Sequence, residues 1–403
     1  MNLDILSDRR KKLREHLKND ELVVIFASSL PAYPHNFLQS NNFMYFTGLN
    51  VENAIFVYQK RKKKSLEVVF IERNNPKMEV WLGKKMSQNE AKKISGIKQI
   101  SYIDEFEQMV SNWLNSSKKC MINLNSSGLN GSINHQQQFA SKIKQHFPQI
   151  KIEDVSSRMI PLRSIKSDWE VAQIQKAIDV TAKAIDEIYS KAKPGMMEYE
   201  LEAILKYEIT RNGLRHIGFN PIIASGVNAA TLHYDKNNAK IGKNELLLMD
   251  IGAACNNYSA DISRTFPVSG KFTKRQKEVY SEVLKINKKM IELVKPGISL
   301  ETLNKKTVEL MQESLIKLGL IKEKGQYKKY YMHSVGHHLG MDTHDIGSKE
   351  SVLEVGSVIT IEPGIYIPEE KIGVRIEDDI LVVKDGYKVL SKDIPKEIND
   401  LES

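Results

Sequence analysis

Leu246–Ala253 reads LLLMDIGA and Asp261–Phe266 reads DISRTF, with a loop around Asn256 and Asn257 between them. Short apolar runs bounded by breakers are strand signatures. Two such strands lying side by side would bring Asp250 and Asp261 face to face across the pair. Two like charges opposed in an apolar setting repel each other, and burial adds a desolvation penalty to each. A cation between them removes both problems, so this pair points to a metal.

Working outward from that pair, three more segments carry the same chemistry. His333–Asp345 (HSVGHHLGMDTHD) holds four of the ten histidines within twelve residues. His337 is the ligand candidate there, with His333 and His344 as groups that support the ligands or touch substrate. His338 has no assigned role. Val358–Tyr366 (VITIEPGIY) reads as a strand carrying Glu362 into a turn. Gly373–Asp379 (GVRIEDD) places Glu377 in a second strand, with Asp378 and Asp379 outside the site. Upstream, Ala224–Asn228 (ASGVN) leads to Leu232-His233-Tyr234, which puts His233 in the same cleft.

The resulting set is Asp250, Asp261, His337, Glu362 and Glu377: four carboxylates and one imidazole. Oxygen-rich sets suit hard divalent ions, and the shortage of nitrogen and sulfur donors argues against a structural zinc site. Because a carboxylate can bridge two cations, the set reads as a dinuclear metallohydrolase site.

Composition bounds the rest. At 403 residues the chain exceeds what one core usually fills, so two domains are expected. With 41% hydrophobic and 7% aromatic residues it is an ordinary globular chain. Cys120 and Cys255 lie in different halves without ligand-like neighbours, which reads as two packed, reduced thiols in a cytoplasmic protein. Met1–Leu17 alternates apolar and charged positions, as an amphipathic helix does and a signal peptide does not. No stretch reaches the length of a membrane span. The net charge of +9 raises nucleic acid as a partner, but its densest run, Lys60–Lys64, sits between two predicted strands and reads as a solvated turn. Neither nucleic acid nor a membrane is therefore expected as a partner.

The chain divides near Ile160–Ser167 (IPLRSIKS). Residues 1–160 alternate strands (Glu21–Ala27, Ala54–Tyr58, Val68–Ile71, Cys120–Leu124) with helices such as Gln136–His146, and Asn125–Asn134 is loop. Residues 161–403 open on a helix with a Ser167/Glu170 capping-box spacing, broken at Lys193-Pro194-Gly195 and resumed near Glu198 as far as Gly213-Leu214. About a hundred residues later the plan recurs, with a helix over Ser281–Val294, a break at Lys295-Pro296-Gly297, and a helix from Leu300 to Gly319-Leu320. The prediction is an α/β (α+β) protein: a mixed α/β domain, then an internally duplicated domain with a pseudo-twofold axis.

Taken together, Ser225-Gly226, Leu232-His233-Tyr234, Asp250-Ile251-Gly252, Asp261–Phe266, Gly336-His337 to His344-Asp345, Glu362-Pro363-Gly364 and Arg375–Asp379 resemble the pita-bread metallopeptidases. Within that group the chain is most similar to the Xaa-Pro aminopeptidases (aminopeptidase P). Asn42–Leu49 (NFMYFTGL) and Glu79–Gly83 (EVWLG) resemble that family's N-terminal domain, so the resemblance covers nearly the whole chain. It implies two divalent ions, Mn²⁺ by family habit, with Asp250 on one, His337 and Glu362 on the other, and Asp261 and Glu377 shared. It implies attack by a metal-bridging hydroxide on the carbonyl before proline, releasing the N-terminal residue of peptides with proline second. His233, His344 and Arg375 would surround the substrate, and Glu362 would move the proton to the prolyl nitrogen. His333 and Phe219 would lie near the pocket for the proline ring, with Phe219 standing where some relatives carry tyrosine. A homodimer through the N-terminal domain is also implied. The rival readings are a prolidase restricted to Xaa-Pro dipeptides and a non-catalytic pita-bread binding module, which normally lacks the ligand set. Asp345 and the N-terminal motifs favour the aminopeptidase over the prolidase.

Overall fold

In a computed structural model the described residues are 2–29, 36–62, 65–124 and 131–402. The chain forms two compact units, Met1–Leu162 and Arg163–Ser403.

The first unit runs α1 (Leu3–Glu15), β1 (Glu21–Phe26), α2 (Asn41–Thr47), β2 (Ile55–Gln59) and β3 (Leu66–Ile71). It continues through α3 (Glu79–Leu82), α4 (Gln88–Ser95), β4 (Gln99–Tyr102), α5 (Phe106–Leu114), β5 (Lys119–Ile122), α6 (His135–His146), β6 (Lys151–Asp154) and α7 (Ser156–Arg163). Its six strands form one sheet in the order β4-β3-β2-β1-β5-β6. The β1–β2 and β2–β3 pairs are antiparallel, while β3–β4, β1–β5 and β5–β6 are parallel. Parallel neighbours need a crossover, and here helices supply it. The central strand β1 (ELVVIF) is buried at all six positions. One face packs Phe26, Phe70, Phe106 and Phe139 into a cluster of edge-on and tilted rings. Helix α1 is amphipathic, burying Leu6 and Leu13. The basic run Lys60–Lys64 joins the paired strands β2 and β3, with Lys63 and Lys64 outside the described residues. Of the loop expected over Asn125–Asn134, residues 125–130 also lie outside them.

The second unit begins with α8 (Asp168–Lys191), α9 (Glu198–Arg211), β7 (His216–Ile217), β8 (Ile222–Ser225), β9 (Leu246–Ile251), β10 (Ala253–Cys255), β11 (Tyr258–Ser259) and β12 (Ile262–Pro267). It ends with α10 (Lys274–Leu293), α11 (Leu300–Lys317), β13 (Val358–Ile361), β14 (Gly364–Ile367), β15 (Ile372–Arg375), β16 (Asp378–Val383), β17 (Gly386–Val389) and α12 (Ile398–Leu401). The Ser167/Glu170 capping box forms at the start of α8. Helix α10 starts at Lys274, seven residues before the predicted Ser281, because Thr273 and Gln276 make a further capping box there.

The duplication is visible bond by bond. Gly195 N donates to Ile241 O (2.9 Å) and Ile241 N to Met196 O (2.8 Å); Gly297 N donates to Leu353 O (2.9 Å) and Leu353 N to Ile298 O (2.7 Å). Both glycines have positive φ, 96° and 89°, which explains why each break needs one. At the far helix ends, Leu214 N bonds Ile209 O and Leu320 N bonds Leu315 O in the same way. Each helix pair is followed by a three-stranded antiparallel sheet, β12-β9-β8 in the first copy and β13-β16-β17 in the second. This is the pita-bread arrangement, with the acidic residues of both copies facing one cleft.

Candidate functional site

The first carboxylate pair is set by a hairpin. Asn256 and Asn257 take φ of 50° and 66°, and Cys255 pairs with Tyr258, giving a two-residue turn that favours asparagine. Below it, a Cβ on Gly252 would lie 1.9 Å from Ala260 O, so the strands cross there at backbone contact. The register then pairs Ile251 with Ile262 and Asp250 with Ser263. Asp250 and Asp261 are therefore not directly opposite, as the sequence suggested. Asp261 precedes β12 and lies diagonally across from Asp250 on the same face. The residue facing Asp250 is Ser263.

Glu362 occupies the break between β13 and β14. Glu377 lies in the break between β15 and β16 rather than inside a strand as expected. His337 is held beside β13: its N donates to Thr360 Oγ1 (3.1 Å), Thr360 N donates to His337 O (2.9 Å) and Glu362 N to Val335 O (2.8 Å). Its Nδ1 lies 3.0 Å from His338 O. A proton on Nδ1 satisfies that carbonyl and leaves the Nε2 lone pair aimed at Asp261 Oδ2 (3.3 Å) and Glu362 Oε1 (3.7 Å). Asp261, His337 and Glu377 each offer a donor atom within 4.8 Å of the others. Asp250 and Glu362 flank that trio.

Electrostatics mark the cluster as strained without a cation. Burial, followed by Asp250, Asp379 and Glu362, raises the Asp261 carboxyl well above its ordinary range. Burial, followed by Asp261, Glu362 and Asp250, does the same to Glu377. Burial pushes Glu362 up to about 7. Among the described residues, Asp250 Oδ1 is buried with no hydrogen-bond partner. An unpartnered carboxylate oxygen, an imidazole lone pair and three crowded carboxyl groups fit one or more hard divalent ions.

Arg375 ties the ligands together. It donates through Nη2 to Asp250 Oδ2 (2.7 Å), through Nε to Ser263 Oγ (2.8 Å) and through Nη1 to Tyr366 OH (3.2 Å). Ser263 Oγ donates in turn to Glu377 Oε2 (2.7 Å), and His333 Nε2 meets Tyr366 OH at 2.9 Å. Burial, then Arg375, holds His333 down at about 4, so it is neutral. Sequence reasoning missed Ser263 and Tyr366. The only available signal was Tyr366 paired with Gly373 across two buried strands, a large polar side chain with space opposite it. Asp378 lies outside the site as expected, paired with Arg264 (2.9 Å) and Lys396 (2.6 Å). Asp379 does not: its Oδ2 accepts from Asp261 N (3.2 Å) and backs that ligand directly.

Two cavities meet at the carboxylates. One, of about 380 Å³, is lined by all five candidate ligands with His233, His333, His344 and Arg375. The other, of about 530 Å³, is lined by Phe219, His233, Asp250, Asp261 and His344. The site thus gathers every predicted residue, but Phe219 and His333, expected together at one ring pocket, line different cavities. His344 lies against His337 with ring centroids 4.1 Å apart and the rings tilted by 44°. Its neighbour Asp345 points away, into buried Arg163 (2.6 Å) and Lys166 (3.2 Å). Burial opposes ionisation there, but Lys166 and Arg163 prevail and keep Asp345 below the usual carboxylate range. Asp345 lines the cavity of about 380 Å³, but its carboxyl is taken up by Arg163 and Lys166 and anchors the His344 loop.

Comparison with known proteins agrees with this geometry. The model of metallopeptidase family M24 matches residues 172–384, and that of the aminopeptidase P N-terminal domain matches residues 6–122. The Xaa-Pro aminopeptidase of Haemophilus influenzae is 34% identical over 92% of this chain and 88% of its own length. That of Escherichia coli is 31% identical over 98% and 96%. Among solved structures, one from Bacillus anthracis assigned as an aminopeptidase P superposes with a TM-score of 0.96 at 41% identity, covering 100% of this chain and 97% of the other. Aminopeptidase P from Escherichia coli with the inhibitor Pro-Leu gives 0.91 at 29% identity, with the same coverage. Fold, ligand-rich cleft and similarity along the whole chain agree, and the chain belongs to metallopeptidase family M24, within the Xaa-Pro aminopeptidases.

Proposed function

We propose that this metallo-aminopeptidase removes the first residue from peptides whose second residue is proline, using two divalent cations held by Asp250, Asp261, His337, Glu362 and Glu377. The observation that carries the proposal is the convergence of Asp261, His337 and Glu377 in one cavity with Glu362 and Asp250 beside them. Hard donors favour Mn²⁺, and such ions, when bound, supply a water nucleophile at neutral pH and polarise the scissile carbonyl.

The chain's own residues do the rest. His233 and His344 edge both cavities and can donate hydrogen bonds to the carbonyl oxygen as it gains charge. Glu362, beside the attacking water, would take a proton from it and pass it to the prolyl nitrogen, which must be protonated to leave. Proline's tertiary amide has no N–H, so recognition rests on steric fit of the ring, with neutral His333, held by Tyr366 OH, lining the cavity that holds all five ligands. The free α-amine at the start of the substrate would be taken up at the cation-loaded carboxylates, which makes the enzyme an exopeptidase. The Escherichia coli relative binds Pro-Leu, a dipeptide of the kind this cleavage releases.

In this reading residues 1–160 form the N-terminal domain and residues 161–403 the catalytic one, and two copies associate through the former. Val80 and Trp81 on α3 are 90% and 79% exposed, an apolar tip suited to a protein contact. No helix among the described residues is long and apolar enough to cross a membrane.

The test is metal-stripped protein reconstituted with Mn²⁺ and assayed on an Xaa-Pro-Xaa tripeptide and an Xaa-Pro dipeptide. Metal-dependent release of the first residue from the tripeptide is expected. Cleavage of the dipeptide alone would replace this reading with a prolidase.

A further inference from the structure

Glu198, the first residue of α9, is 0% exposed and is neither one of the five candidate ligands nor a residue lining the two cavities. A buried carboxylate needs donors, and this one has five. Its Oε1 accepts from Ser225 N (2.7 Å), Ser225 Oγ (3.0 Å) and Asn228 Nδ2 (3.2 Å). Its Oε2 accepts from Tyr234 OH (2.7 Å) and Ala239 N (2.9 Å). The donors span residues 225–239, and His233 lies inside that span next to Tyr234.

A second anchor sits one helical turn on. Glu202 Oε2 accepts from Asn237 Nδ2 (2.8 Å), and Asn237, at φ 45°, also accepts from Ile223 N (2.9 Å) through Oδ1. One face of α9 therefore holds the loop that presents His233.

The internal duplication separates architecture from function. Pro194-Gly195-Met196-Met197-Glu198 corresponds to Pro296-Gly297-Ile298-Ser299-Leu300, with matching backbone bonds at both turns. The second copy places buried Leu300 where the first has Glu198. The helix–turn–helix unit thus forms without a carboxylate at this position. Only the copy that carries His233 has one.

We propose that Glu198 is a positioning residue for the peptidase reaction, fixing the loop so that His233 reaches the substrate carbonyl; this rests on the role given to His233 above. Glutamine cannot substitute for it. Ser225 N faces one oxygen and Ala239 N the other, so the amide NH₂ must confront a backbone donor in either orientation.

The experiment is a double-mutant cycle on the full-length, metal-loaded enzyme with an Xaa-Pro-Xaa tripeptide. Glu198→Gln is expected to lower kcat about 10- to 100-fold with KM within about threefold, the pattern of a lost transition-state contact. Bound metal per chain should be unchanged. His233→Ala should cost about as much, and adding Glu198→Gln to it should cost less than about threefold more. Wild-type turnover in Glu198→Gln, or a loss that multiplies onto His233→Ala, overturns the positioning role. Wild-type turnover in His233→Ala overturns the reading of His233 instead. Should Glu198→Gln not fold, Tyr234→Phe removes one donor of the same clamp and decides the question: a several-fold drop in kcat that vanishes beside His233→Ala supports the proposal, and a drop that persists there overturns it.

Discussion

Arg375 donates to Asp250 Oδ2 at 2.7 Å while Asp250 Oδ1 is left buried and unpartnered. The guanidinium thus decides which carboxylate oxygen would be free for a bound cation, and its other two bonds lock the choice. A lysine at this position would keep the charge and lose the fork. We expect Arg375→Lys to weaken metal binding about 10- to 100-fold and to lower kcat/KM by a similar factor. Metal titration of the stripped variant, alongside its kinetics, measures both; unaltered affinity would show that Asp250 needs no such orientation.

Asp261→Asn should separate folding from activity. Asp261 is 4% exposed, and its carboxyl is raised by burial and by three neighbouring carboxylates. Removing that charge relieves repulsion in the metal-free protein, so its stability should equal or exceed wild type by about 1 kcal/mol. Turnover should fall about 10³-fold or more, because one of the proposed cation ligands is gone. Thermal unfolding with and without Mn²⁺ checks the first part: wild type should gain from the metal, and the variant should gain far less. A fully active variant would refute the assignment.

Gly336→Ala probes how the histidine ligand is held. A Cβ there would lie 2.0 Å from Thr360 O, a strand carbonyl that cannot step aside, since Thr360 is paired with Asp379. The clash should destabilise the protein by about 3 kcal/mol and displace His337. Gly319→Ala is the control. It has open space but φ of 73°, so it should cost only about 1 kcal/mol and leave activity intact. Denaturant midpoints and turnover of the two variants settle the comparison.

The parts of this site legible in the sequence are those written locally. Asp250 ends an apolar run and Asp261 begins one, so their use as a pair follows from strand signatures alone. The Pro-Gly breaks announced the duplication because each needs a glycine with positive φ. What stayed hidden is set by register and by contacts between distant segments. The diagonal offset of Asp250 and Asp261 follows from the strands meeting at Gly252 and Ala260, which no periodicity encodes. Ser263 and Tyr366 matter only because Arg375, more than a hundred residues from the first, reaches both. Asp379 reads in the sequence as lying outside the site, and it is the pairing of β13 with β16 that turns it toward Asp261.

The titration of Glu362 gives a pH signature whose sign reverses with metal. In the folded, metal-free chain burial moves its carboxyl from 4.5 up to about 7. A raised folded value means the neutral form favours folding: that contribution is complete below 4.5 and is lost as pH rises through about 7. A displacement of this size corresponds to about 3 kcal/mol, and Asp261 and Glu377 act in the same direction. Stability of stripped protein, from denaturant unfolding, should therefore fall between about pH 5 and 8. Cations must displace these protons, so Mn²⁺ affinity should climb over the same interval and level off above about 7. Calorimetry in two buffers of different ionisation enthalpy counts the protons released. At pH 6 the count should be close to one or more, and a value near zero would mean that Glu362 is already ionised before the metal arrives.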